Sequence, residues 1–157
     1  MNGLISENFK IVKGLAPSAD INNGNPATDV FNIGTASKAL IFCHQNSAST
    51  GTATITVEAC TNFAAAGATA IPFYSREVPD GTSDTMSALV RTAATGLTTI
   101  AGKDVIKVLE VLARDVPVAS PYLRVQLTEV VNAAVIGSVT IMLESRVKSD
   151  VIPTAIA

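Results

Sequence analysis

The sequence predicts an all-β fold: an antiparallel β-sandwich forming a single jelly-roll-like domain, with at most one or two short helical turns. Three observations carry this expectation. Val, Ile and Thr, whose branched Cβ suits a pleated strand, recur in period-two alternation along most of the chain. The alternating runs are short and bounded by Gly, Pro, Asn and Asp, at the spacing of sandwiches and barrels. Long connections, such as 61–70 and 79–86, suit a Greek-key path better than a meander.

The elements follow in order. Asn8 to Lys13 and Asp29 to Ile33 are short strands in the N-terminal part. Ala39 to His44 is a strand apolar at both parities, and the polar stretch 45–51, ending in Gly51, reads as a hairpin loop. Thr52 to Ala59 alternates cleanly, with Ala53, Ile55, Val57 and Ala59 on one face and Thr52, Thr54, Thr56 and Glu58 on the other. Phe63 to Ala68 reads as a loop, with a single helical turn as the alternative. Ile71 to Val78 is predicted as one strand, with Pro72 near its start, where a missing N–H is tolerated, and Pro79-Asp80-Gly81 as its closing turn. Ser87 to Thr92 and Leu97 to Ile100 are further strands. Residues 104–115 fit a helical period, but Val105, Ile106, Val108 and Val111 disfavour a helix. The expectation there is a strand over 104–111, then a helical turn over 112–116 ended by Pro117. Tyr122 to Val130, with Leu123, Val125 and Leu127 inward, and Ile136 to Arg146, with Val139, Ile141 and Leu143 inward, complete the set. Met86 and Met142 are expected to fill the core.

Composition bounds the function. The 157 residues are 48% hydrophobic and 15% charged, with a net charge of −2, which excludes a disordered chain and gives no basic footprint for nucleic acid. The chain has one histidine, His44, and two cysteines, Cys43 and Cys60, too few for a zinc site. Neither HExxH, GxGxxG nor GxxxxGK[ST] occurs. His44 reads as a strand-end residue rather than a base. No apolar run reaches the roughly 20 residues that span a bilayer, and Met1 to Glu7 does not read as a secretory signal. The cysteines are therefore expected reduced and buried, pairing only if their strands are neighbours. No cofactor, metal or catalytic residue is expected. An enzyme would have to assemble carboxylates from Asp20, Asp29, Glu58, Asp80, Asp84 and Glu110, and spacing selects no pair among them.

Several segments together resemble a known group. Gly51 to Asn62 (GTATITVEACTN) followed by Ala70 to Arg76 (AIPFYSR), Val108 to Val111, Pro121 to Val125 and the strand Gly137 to Arg146 are similar to the jelly-roll head decoration (cement) proteins of tailed bacteriophages. The similarity covers about residues 28–147. Val147 stands where an aromatic usually follows the Arg in that group. The resemblance implies a structural virion protein on the outer surface of the head, made in the host cytoplasm. Its partners would be the major capsid protein and further copies of itself, as a dimer or trimer, with no nucleic acid and no membrane. The organisation expected is an N-terminal arm and first strand (1–27), the sandwich (28–147) and a C-terminal arm (148–157). Leu4, Ile5, Phe9, Val151 and Ile152 are the candidate capsid or intersubunit contacts, because they are apolar residues near the chain ends, outside obvious core periodicity. Arg76 and Glu77 are either an intersubunit ion pair or a solvated strand end. The alternative of another class is a ligand-binding sandwich, such as a carbohydrate module or tail adhesin, for which a chain with no Trp and two Tyr offers few stacking surfaces.

Overall fold

A computed structural model describes residues 8–46, 50–81, 84–146 and 155–156. Leu4, Ile5, Val151 and Ile152 lie outside the described residues.

Among the described residues eleven strands form two antiparallel sheets: β1 (Phe9–Ser18), β2 (Phe31–Asn32), β3 (Ala36–Gln45), β4 (Thr52–Cys60), β5 (Thr69–Ile71), β6 (Phe73–Val78), β7 (Val90–Thr92), β8 (Leu97–Thr98), β9 (Val105–Leu112), β10 (Tyr122–Val131) and β11 (Gly137–Ser145). The larger sheet runs β1-β11-β3-β9-β6-β7. The smaller runs β2-β10-β4-β5, with β8 also pairing β4. Four strands of each sheet thus follow a jelly-roll path, and β6 and β7 extend one edge. The ambiguous segment resolves as its β-branched residues predict: β9 is a strand, followed by one 3-10 turn, Ala113–Asp115.

The inward faces of the two sheets make one core. From the smaller sheet come Ile55, Val57, Leu123, Val125 and Leu127; from the larger, Ile41, Leu109, Val111 and Ile141, all under 2% exposed. Phe31 and Phe73 are its largest members. The alternation predicted for Thr52 to Ala59 and for Tyr122 to Thr128 is the observed one, residue for residue.

Two connections differ from the sequence expectation. The stretch 45–51 is not a hairpin: β3 lies in the larger sheet and β4 in the smaller, so the chain crosses over the end of the sandwich. A polar loop ending in Gly serves a crossover as well as a hairpin, and local sequence does not separate them. Nor is Ile71 to Val78 one strand. Its first residue ends β5 in the smaller sheet and Phe73 opens β6 in the larger. Pro72 sits at the transfer, where its missing N–H costs no ladder bond.

Three crossovers, from Gln45 to Thr52, from Thr98 to Val105 and from Val131 to Gly137, join the two sheets at one end of the sandwich. They are held together there by backbone contacts. The amide of Asn46 donates to the Ile136 carbonyl (2.9 Å) and that of Thr99 to the Ala53 carbonyl (2.9 Å). Gly51 packs so closely on the Ala133 carbonyl that a Cβ has no room. At the opposite end the Asn32 amide donates to the carbonyl of Ala155 (2.8 Å), whose side chain is buried in the core. The C-terminal segment therefore returns to the body of its own chain at this point.

Candidate interaction surfaces

The outward faces of the two sheets differ in chemistry. On the smaller sheet the outward residues of β4 from Thr52 to Glu58 and of β10 from Arg124 to Thr128 are polar. Glu58 and Arg124 face each other across β4 and β10, with Arg124 Nε 2.6 Å from Glu58 Oε2. Thr54 and Thr98 share a hydroxyl hydrogen bond of 3.0 Å, and Thr56 and Gln126 stand between these pairs. This is the usual pattern of an antiparallel sheet with one face in water.

The larger sheet breaks that pattern. Register places Ile11, Met142, Leu40 and Glu110 in one outward row, and Lys13, Thr140, Phe42, Val108 and Arg76 in the next. Leu40, Phe42, Val108 and Met142 are half-buried by their neighbours, and Ile11 is 69% exposed. Phe9, the one predicted contact residue that is described, belongs to this face. It is half-buried opposite Glu144 at the start of β1. β3 and β9 are thus apolar on both faces, as strands covered on both sides are. The sequence signal was present in the double-parity apolar run of Ala39 to His44.

A second apolar surface lies at the crossover end. Ile100, Val130, Val131 and Ile136 are 46–57% exposed there, each on or beside one of the converging connections. These residues were not singled out in the sequence, because their proximity depends on the crossovers. Met86 and Met142, both expected in the core, lie outside it: Met86 is 40% exposed in the long connection before β7, and Met142 is half-buried on the outward face of β11.

The ionisable residues are mostly engaged within the chain. Glu77 pairs with Lys107, its cross-strand neighbour on the inward face of β9, and not with a solvated Arg76. Lys38 lies between Glu110 (3.5 Å) and Glu144 (3.8 Å). Of the six carboxylates considered above, Glu58 and Glu110 are in these pairs. Asp20 Oδ1 accepts the Asn22 and Val135 amides, at 3.3 and 3.4 Å. His44 Nε2 lies 2.9 Å from Asp104 Oδ1, and Ser138 is the cross-strand neighbour of His44. The three line one hollow with Pro17 and Ile136. Yet His44 and Asp104 are over half exposed, and no hydrogen bond joins Ser138 to the imidazole. A catalytic Ser-His-Asp arrangement relies on a buried carboxylate to fix the ring, so this one is a solvated pair at a strand end. Among the described residues no three His, Cys, Asp or Glu side chains come together to hold a metal ion.

Cys43 and Cys60 are buried and unpaired, in different sheets. Burial pushes the Cys43 thiol up to about 12. It raises that of Cys60 as well, with Arg124 opposing and Glu58 adding to the shift. Neither is a thiolate nucleophile at neutral pH. Among the described residues no helix is long and apolar enough to cross a membrane. Comparison with protein-family models and with curated protein sequences finds no match.

Proposed function

We propose that the chain is a non-enzymatic structural virion protein, a decoration or cement protein that binds the outer surface of a phage head and bridges major capsid proteins. The observation that carries the proposal is the apolar crossover end. Four branched aliphatic side chains, Ile100, Val130, Val131 and Ile136, are exposed on or beside the connections at that end of the sandwich. Exposed apolar clusters on a rigid base are what protein contacts are built from. The strand motifs of the phage group and the two-layer fold point the same way. In this role the crossover end grips the shell and further copies of the chain complete the bridge.

The ligand-binding alternative has one aromatic feature in its favour, the Phe63–Tyr122 pair. Those rings meet edge to face at 4.7 Å, so one ring face is already used within the protein.

The test is reconstitution. Purified protein is added to phage heads that lack it, and occupancy is read by gradient sedimentation and gel densitometry. Saturable binding at hundreds of copies per head, with a higher opening temperature, is the expected result. Heads that bind none, or that open at the same temperature when saturated, would defeat the proposal.

A further inference from the structure

We propose that the free edge of β7 is a strand-acceptor site. Its occupant is an extended segment of a partner polypeptide, in which an acidic residue is flanked by β-branched apolar ones. The segment pairs along residues 87–92 and adds a strand to the larger sheet. The site is separate from the crossover end and needs no phage head for its test.

The first argument is the backbone. β7 closes the larger sheet and pairs only with β6. Every second residue of such a strand turns its N–H and C=O away from its one neighbour, where another strand can take them. Residues 84–91 are all exposed, so no other described part of the chain covers this edge. The edge is also tied down on both sides of Val90. The Ser87 amide donates to the Glu77 carbonyl (2.9 Å), the Glu77 amide donates to Ser87 Oγ (2.8 Å), and the Ser75 and Thr92 hydroxyls share a hydrogen bond of 2.8 Å. A partner strand therefore meets backbone already held extended.

The second is contrast with the other edges. β1 carries register shifts at Lys13/Leu15 and Leu15/Ser18, with Lys10, Lys13 and Pro17 along it. β2 has two residues, and its Asn32 amide is taken by the Ala155 carbonyl. β5 is stopped by Pro72, and β8 has two residues. These are devices that blunt an edge. Residues 85–90, by comparison, carry neither charge nor proline, and Met86, Leu89 and Val90 are 40–56% exposed.

The third is side-chain chemistry, which selects the occupant. Register sets Arg91 outward beside Tyr74, and Arg76 outward two residues further along β6. Both are exposed and have no ion-pair partner among the described residues. The carboxylate of the same row, Glu110, stands beyond Tyr74 on β9 and lies 3.5 Å from Lys38. On the inward parity Val90 borders a hollow with Leu97, Thr98 and Lys107. An added strand thus sets an acidic side chain opposite Arg91 and apolar ones over Val90 and this hollow. A second copy suits the edge less: two β7 strands paired antiparallel over Val90–Thr92 set Arg91 opposite Arg91.

The probe is the blocked peptide Thr-Val-Glu-Val-Thr, titrated into the isolated nitrogen-15-labelled chain. Amide shifts should be confined to β6, β7 and residues 84–89, and should saturate at about millimolar peptide, with slowed hydrogen exchange in 87–92. The peptide with Lys in place of Glu should bind roughly fivefold more weakly, and Arg91→Glu, with unchanged circular dichroism, should reverse that order. N-methylation of the two Val residues and of the central Glu, in separate peptides, should abolish binding in one case only, because a strand pairs through one edge. No shift at about five millimolar peptide overturns the proposal, as do shifts centred elsewhere or equal binding of the Glu and Lys peptides to the wild type. Protection of 87–92 that rises with protein concentration alone would assign the edge to a second copy and also overturn it. If Arg91→Glu does not fold, the two peptides on the wild-type chain decide.

Discussion

Lys107 shows how one polar residue is accommodated on a core-facing strand. It shares the inward face of β9 with Val105, Leu109 and Val111, and is 9% exposed. Glu77 stands directly across on β6 and pairs with it. Removing only the carboxylate leaves a buried charge uncompensated, which costs more than the pair contributes. Glu77→Gln should therefore lower stability by about 1–3 kcal/mol in urea unfolding. Glu77→Leu with Lys107→Met should recover most of it. A double variant as unstable as the single would show that the pair does more than satisfy itself.

Cys43 gives the pH dependence at the same scale. Its folded-state value of about 12 lies above the ordinary 9.0, because burial disfavours the thiolate. The thiol's contribution is thus fully present below pH 9 and is lost as pH rises toward 12, since the unfolded chain ionises first. Native protein at pH 8 should leave Cys43 unmodified by iodoacetamide, as read by peptide mass spectrometry, and label it only in denaturant. Rapid native labelling would contradict the burial.

At the scale of elements, strands were legible wherever one face is buried and the other wet. β4 alternates from Thr52 to Ala59 and β10 from Tyr122 to Thr128, and their inward residues there are those the pattern selects. What local pattern does not carry is which sheet a strand joins. The crossover at 46–51 and the transfer at Pro72 depend on partners dozens of residues away. β1 likewise extends five residues beyond Lys13 through a register shift, because Gly14 lets the backbone approach Val139, whose carbonyl oxygen would lie 2.5 Å from a Cβ. Of the candidate contacts, only Phe9 falls on a described surface. The aliphatic cluster of the crossover end was not readable, because its members come from connections far apart in sequence.

Gly96 is the clearest single test of an element's geometry. It has φ +84°, and a Cβ there would collide with the Ile55 carbonyl and Thr56. Gly96→Ala should cost about 1–3 kcal/mol through strain and loss of β8 pairing on β4. An equilibrium unfolding midpoint equal to wild type would show that β8 does not need this turn. The C-terminal segment calls for similar care. Because Ala155 is buried and bonded to Asn32, deleting 149–157 removes part of the fold together with any arm.

For the whole molecule, the relevant number is the net charge of −2 over 157 residues. Long-range steering of so weakly charged a body is small, and its contacts depend on apolar burial. Binding to heads should therefore change only a few-fold between 50 and 500 mM salt, whereas Ile100→Ser with Val131→Ser should reduce occupancy about tenfold or more, with the unfolding midpoint almost unchanged. Occupancy that collapses with salt would point to charged contacts instead.

The convergence of three crossovers at one end also sets how the molecule bears tension. A pull delivered at Ile100 and Val131 enters the smaller sheet at its strand ends and runs along the strand axes. Ladder bonds loaded in shear must stretch in concert, whereas bonds peeled from a sheet edge give way singly. A tether attached at that end should hold to far larger forces than one attached at the two-residue strand Phe31–Asn32.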